Sequence, residues 1–598
     1  MRLTGGQMVA EYLIKEGVPY FVGIPGHGCL GLVDAFLGRE EHICILQVRS
    51  EQCAVHLADG YYRACGRPLA CFTSIGPGAM NTVIGLATCF VDSVPVLVIN
   101  GDTHTYMFGK GVLQEIERKR PADNFRVLEP ITKQVWQVTE VGQLPNILAR
   151  AFNVMMTGRR GPVAIALPMD VQAEAAEVSL PEPAQREPAG RVQPDPEAVQ
   201  QAAHLLAQAQ RPVILAGGGI NHAEAWAELR TVAELLEAAV ITTLHGKGCF
   251  PEDHPLSGWL GGSKGTHVGN ALAKSADVLL AVGCRFADLN TSSYRHGVTF
   301  NIPPTKLIHA DLDPEEIGKN YPVEVGLVGD AKSVLEQLAV ALREMDVPSK
   351  PEYRAEITRR REDWFRFLAK YRESDRVPVT ISRALKETRE FLDRDAILCY
   401  AAGNPQAQIL QEFPFYEPRT NLTSGGFSTM GWTLPAALGA KLACPDRQVL
   451  GVPGDGDLLM SIHELATAVQ YNIPVVMLCL NNSSWQSIND LQVAVYGPDR
   501  RIACDFLQPD GTLYSPDFKA IAEGFGCYAE KVSRAEEIKP ALQRAFASGR
   551  PAVIEVLVNK EFPYSGGEAV GWWDVPVPEY LTVLRQEYEQ AQAEERLI

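Results

Sequence analysis

Short apolar runs bounded by glycine or proline recur along this chain. Between them lie segments whose apolar residues return every three or four positions, the period of a helix with one buried face. Tyr20 to Ile24, Ile43 to Val48, Val213 to Ala216, Leu307 to Ala310, Gln448 to Val452 and Val475 to Leu480 read as strands. The runs are continuous rather than alternating, as in parallel sheets covered on both faces. Pro181 to Pro196 is rich in proline and glutamate and has no period, so it reads as a linker. A second, partly helical connector follows Pro348 and Pro351 through Arg376. Three blocks result, roughly 1–180, 195–345 and 375–560, with a tail over 561–598.

The first and third blocks echo one another. Thr73-Ser74-Ile75-Gly76-Pro77-Gly78 opens a segment that closes on Val94-Pro95-Val96, and Gly454-Asp455-Gly456 opens one that closes on Ile473-Pro474-Val475. The glycine-to-proline spacing is nearly the same, so two copies of one α/β domain are expected.

The second of these segments carries the sharpest chemistry. Gln448 to Val452 ends in Pro453 and the Gly454-Asp455-Gly456 turn. Ser461-Ile462-His463-Glu464 predicts a capping box, and Ile462, Leu465, Ala466 and Val469 then share one helical face. Asn481-Asn482 lies just past the next strand, so Asp455 and Asn482 emerge at one edge of a parallel sheet, where open α/β sheets bind ligands. One carboxylate plus one amide oxygen suits Mg²⁺, which lets phosphates of a ligand complete its octahedron. Gly454 and Gly456 allow backbone to approach those phosphates. Either motif alone reads equally well as a plain turn; their joint placement on one strand–helix–strand unit favours the metal.

Length and charge narrow the class. A chain of 598 residues holds about three domains. A net charge of −17 argues against nucleic acid or an anionic membrane as partner and leaves a small-molecule enzyme. The start at Met1-Arg2-Leu3-Thr4 reads as neither export signal nor anchor. Thirteen cysteines without a C-x-x-C pair read as reduced thiols, so a cytoplasmic location is expected.

The segment from Gly454 to Asn482 resembles the thiamine diphosphate (ThDP) motif of the acetolactate synthase and pyruvate oxidase superfamily. The resemblance implies three doubly wound α/β domains with mostly parallel sheets: pyrimidine-binding, central Rossmann-like and diphosphate-binding. It implies Asp455, Asn482 and the carbonyl of Ser484 as Mg²⁺ ligands. Gly454, Gly456 and Asp457 then lie beside the diphosphate, Asp457 standing where many relatives carry serine. Ser50-Glu51-Gln52 with Ala58-Asp59-Gly60-Tyr61 matches the family's activating segment. It makes Glu51 the acid at the pyrimidine N1′ that converts the 4′-amino group into the base deprotonating the thiazolium C2. Read without the motif, Glu51 is a helix N-terminal anion. Gly425 to Gly439 implies Met430 as the wedge between the cofactor rings and the Ser428 carbonyl as acceptor from the 4′-amino group. Gly403 and Asn404 match a second phosphate loop. Gln114 matches a glutamine that enters the neighbouring subunit's site, as expected of a homodimer or homotetramer with active sites at subunit interfaces. Relatives use the central domain for flavin, an ADP-like activator or nothing. FAD is therefore an option that the lone glycine turn Gly217-Gly218-Gly219 does not favour.

The substrate is expected to be a small carbonyl compound. Gly26-His27-Gly28, the run Ile488-Asn489-Asp490-Leu491-Gln492 and Trp572-Trp573 resemble trihydroxycyclohexanedione hydrolase. Acetolactate synthases usually carry Gln-Trp near Asp490-Leu491. His27, in the loop after the first strand, either polarises a carbonyl over the thiazolium or is merely solvated. Hydrolytic opening of a cyclic 1,2-diketone is therefore the expected reaction. The alternatives are an acetolactate-synthase-like carboligase or 2-oxoacid decarboxylase, and a flavin-dependent 2-oxoacid oxidase.

Overall fold

The first sheet joins Cys44–Gln47, Tyr20–Gly23, Ala70–Thr73, Leu97–Asp102, Val163–Pro168 and Gln134–Gln137 side by side, all parallel. The structure is a computed structural model describing residues 1–116, 126–186, 188–560 and 573–593. Numbered in chain order, this sheet runs 2-1-3-4-6-5. The third sheet, built from Asn421–Thr423, Ile397–Tyr400, Val449–Gly451, Val476–Asn481, Ala552–Leu557 and Tyr528–Val532, has the same order and is also parallel throughout. The echo between the two glycine-to-proline segments is thus a repeat of topology. The middle sheet, from Pro212–Ala216 to Val325–Val328, runs 3-2-1-4-5-6, the dinucleotide-fold order. Every six-stranded sheet is flanked by helices, so the fold is α/β with three parallel sheets, as expected.

Two helices lock the outer sheets together. Glu51–Cys65 packs along Thr433–Ala443, and small residues set the distance: a Cβ on Gly60 would stand 2.2 Å from the Ala436 carbonyl oxygen, and one on Gly439 1.9 Å from that of Leu57. These two contacts pair rising numbers on one helix with falling numbers on the other, so the helices are antiparallel. One apolar core runs across this seam, from Met8 through Trp432 to Val553, while the middle sheet has a core of its own. The connector after Pro348 is a helix, Pro351–Arg372, and the tail carries another, Thr582–Ala593. Among the described residues no helix is long and apolar enough to cross a membrane, and none of the thirteen cysteines is disulfide-bonded.

The capping box expected at Ser461 is not formed. Ser461 Oγ has no partner, and the Glu464 carboxylate reaches to the Arg49 and Ser50 backbone N–H groups (2.9 and 3.0 Å). A tertiary contact across the seam has displaced the local one.

Candidate active site

Asp455 opens a short helix, Asp455–Leu459, directly after Val449–Gly451, and Asn482 follows Val476–Asn481, the adjacent strand. A bridge between Gly454 and Leu480 fixes the two strand ends side by side. Asp455 Oδ1 accepts from the Gly456 N–H at 3.0 Å, whereas Asp455 Oδ2 and Asn482 Oδ1 are buried and meet no donor among the described residues. Burial pushes the Asp455 carboxyl up to about 6 against hydrogen bonds from the backbone of Gly456, Ser483 and Ser484. Two orphaned oxygens at adjoining strand ends fit a cation, since a buried acceptor left without a donor is costly. Gly454 borders open space, the nearest atom to an added Cβ being Pro405 Cγ at 3.9 Å. At Gly456 a Cβ would fall 2.0 Å from the Trp485 ring. The first glycine leaves room for a phosphate; the second is required by packing. Ser484 lies in the same loop, bridged to Asp505.

Asp457, expected beside the diphosphate, is tied to the start of the helix Thr433–Ala443. Its carboxylate accepts from the Gly431 N–H at 2.6 Å and from the Thr433 hydroxyl, so the chain itself engages both oxygens. It thereby fastens the Gly425–Met430 loop to the helix Thr433–Ala443. Ser428 in that loop has a left-handed φ of 57°, and Met430 is half-buried. A second anchor comes from the first block. Arg63 joins Asp59 and Asp92, Asp92 accepts from the Gly426 N–H at 3.0 Å, and Thr88 meets Thr429 at 2.7 Å. Burial alone would raise the Asp92 carboxyl, but His245 and Arg63 hold it down at about 2. Sequence reasoning missed this buried ion network, although Asp59 and Arg63 stand in the activating segment itself.

Gly403 (φ 104°) precedes the helix Asn404–Glu412 at the end of Ile397–Tyr400. Asn404 Nδ2 donates to Asp490 at 2.8 Å, leaving Asn404 Oδ1 without a partner. Burial pushes the Asp490 carboxyl up, opposed by Asn404 and Gln486. Glu51 is the first residue of its helix and is buried; its Oε2 accepts from Asn81 Nδ2 at 2.9 Å, a partner not foreseen. His27 and Gln114 are exposed on the single chain. Gln114 has φ 68°, and its carbonyl caps Gly76, where a Cβ would fall 1.8 Å away. Trp572 lies outside the described residues.

The FAD option falls on a cavity of about 1000 Å³ beside the middle sheet, lined by Gly218, His245, Lys264, Asp311 and Trp573 among others. Its glycine turn has a packing reason: a Cβ on Gly217 would meet the Gly283 carbonyl oxygen at 2.0 Å. The glycines therefore call for no nucleotide.

Three family models cover most of the chain. The thiamine pyrophosphate enzyme N-terminal TPP binding domain matches residues 3–121, the central domain 199–338 and the C-terminal TPP binding domain 401–556. The chain belongs to the thiamine pyrophosphate enzymes. Within that family it is similar along nearly its whole length to proteins named acetolactate synthase large subunits. The probable one of Methanocaldococcus jannaschii is 36% identical over 570 residues, 93% of this chain and 92% of that protein. That of Corynebacterium glutamicum is 36% identical over 571 residues (94% and 87%), and that of Haemophilus influenzae 33% over 567 (91% and 92%). The closer likeness to the cyclohexanedione hydrolase expected from three short segments is not supported. Whole-chain identity favours the carboligase alternative over the hydrolytic reading.

Proposed function

We propose that this thiamine pyrophosphate enzyme is a Mg²⁺-dependent carboligase that decarboxylates a 2-oxoacid and joins the remaining acyl unit to a second carbonyl compound. The orphaned oxygens of Asp455 and Asn482 at adjoining strand ends carry the reading, and similarity to acetolactate synthases supports it. Asp455, Asn482 and the Ser484 carbonyl hold the metal, and Gly454 and Gly403 give the diphosphate access to backbone. When bound, thiamine diphosphate supplies a nucleophilic carbon that attacks a carbonyl and takes up the electron pair of the broken C–C bond. Glu51, held by Asn81, gives and takes the proton at the pyrimidine nitrogen. Met430 orients the two rings, on a loop pinned by Asp457 and Asp92. His27 and Gln114 face the substrate.

One site requires two chains. The antiparallel seam puts Glu51 at one end of its helix pair and Met430 beyond the other. At 1.5 Å per residue, the roughly twelve helical positions between Glu51 and Thr433 in this register amount to about 18 Å. A residue touching the pyrimidine and one wedged between the rings of the same molecule cannot stand so far apart. The partner subunit in a twofold dimer therefore supplies the second half of each site.

The test is direct. Protein reconstituted with thiamine diphosphate and Mg²⁺ should release CO₂ from pyruvate and form a new C–C bond, seen as acetolactate or a mixed acyloin by NMR. Failure to release CO₂ from any 2-oxoacid, with the cofactor bound, would reject this function.

A further inference from the structure

The amide groups of Asn404 and Gln486 both turn toward Asp490. Asn404 Nδ2 donates to Asp490 Oδ2 at 2.8 Å, and Gln486 Nε2 donates to Asp490 Oδ1 at 2.6 Å. A carboxylate only accepts, so each amide must offer it the NH₂ end and point its oxygen away. Both oxygens, Asn404 Oδ1 and Gln486 Oε1, are left without a donor among the described residues, although the two residues are only 2% and 8% exposed. Asp490 itself is partly accessible. The cluster adjoins the segments that carry the proposed metal ligands. Asn404 begins the helix that Pro405 continues beside Gly454, and Gln486 and Asp490 lie on Gln486–Tyr496, the helix that follows the Ser484 loop.

Three side chains thus present oxygen acceptors, two of them without a donor among the described residues, with a negative charge at their centre. We propose, resting on the carboligase reading, that Asn404, Gln486 and Asp490 select a neutral, hydroxyl-bearing carbonyl compound as the second substrate. Hydroxyl groups bring the donors that the two amide oxygens lack. A second 2-oxoacid would bring more acceptors and a carboxylate that stays in the product beside Asp490. The donor differs, because its carboxylate departs as CO₂. The reaction balances as pyruvate plus glycolaldehyde plus one proton giving CO₂ and 3,4-dihydroxybutan-2-one. The acyl carbon bonds to the aldehyde carbon, and the aldehyde oxygen takes the proton.

The experiment is a competition. Holoenzyme receives ¹³C-pyruvate as donor, with glycolaldehyde and pyruvate as rival acceptors at equal concentration, and NMR reads the ratio of dihydroxybutanone to acetolactate. The ratio does not depend on the speed of the donor step. The native enzyme should favour the dihydroxybutanone about tenfold, and Asp490→Asn should shift the ratio toward acetolactate by about tenfold as the like-charge penalty is lifted. Gln486→Met, which removes one acceptor and keeps the volume, should shift it in the same direction and serves if Asp490→Asn does not fold. CO₂ release with acetolactate as the main product, or a ratio that neither variant moves, would overturn this inference and leave the carboligase reading standing. No CO₂ from any 2-oxoacid would overturn that reading instead.

Discussion

Two inactive variants should restore each other if each site is shared between chains. Glu51→Gln removes the proton at the pyrimidine end while keeping the side chain's size and an oxygen for Asn81, so the fold should hold and turnover should fall by roughly 10²–10⁴. Asp455→Ala removes the carboxylate of the metal pocket. The seam sets Glu51 about 18 Å from the start of the helix that Met430 precedes, so Glu51 and Asp455 of one chain should serve different cofactors. In a mixed dimer one site then receives intact Glu51 from one subunit and intact Asp455 from the other, while its twin carries both substitutions. Random pairing makes half the dimers mixed, each with one working site, so co-expressed variants should recover about a quarter of native activity. Mixed dimers isolated through two different tags should recover about half. The assay is CO₂ release from pyruvate with excess thiamine diphosphate and Mg²⁺. No recovery in purified mixed dimers would refute the shared site, because every chain would then carry its own defect into its own site.

Three further outcomes follow from the same geometry. Thiamine diphosphate with Mg²⁺ at a hundredfold excess over Kd should stabilise the protein by about 2.7 kcal/mol in a thermal melt; EDTA, or Asp455→Ala, should abolish the gain. Gly60→Ala places a Cβ 2.2 Å from the Ala436 carbonyl oxygen and should cost about 1–3 kcal/mol by overpacking the seam, read by denaturant unfolding; a change within experimental error would mean that the seam is loose. Lys264 is buried, its ammonium donates to Gln406 Oε1 at 2.8 Å, and burial lowers it from 10.5 to about 8. The unfolded chain therefore holds that proton more tightly between pH 8 and 10.5, so this residue makes stability rise with pH across that window and leaves a constant penalty below it. Lys264→Met should accordingly stabilise the protein at pH 7 by about 1–3 kcal/mol and flatten the rise, measured as melting temperature against pH.

The strands were legible because parallel sheets bury both faces, and burial on both faces leaves continuous apolar runs. Pro212–Ala216 and Val476–Asn481 fall within a residue or so of where their runs predict. The echo between Gly76 and Gly454 was legible for a related reason. A repeated glycine turn, helix and strand is short-range information, and the full 2-1-3-4-6-5 order grew out of it. What misled were short patterns with two physical uses. Ser461 and Glu464 have the spacing of a cap, but Glu464 is drawn to the backbone of Arg49 and Ser50, over four hundred positions away. Asp457 likewise finds its partners at a distance, in Gly431 and Thr433, 26 and 24 positions back.

The same reason explains why the cofactor was legible locally and the reaction was not. Asp455 and Asn482 lie in one strand–helix–strand unit, so their meeting is dictated locally and the sequence spacing carries it. The proposed acceptor selection, by contrast, rests on groups brought together from distant segments: Asn404 from one strand end and Asp490 from a helix 86 positions later, joined through a hydrogen bond. No window of sequence contains that contact. Three short segments resembling a hydrolase cannot report it, since a residue type recurs easily without its partners. If acceptor choice resides in the contact, replacing Asp490 alone should alter the product ratio more than replacing Gly26-His27-Gly28, a segment that carries neither Asp490 nor Asn404.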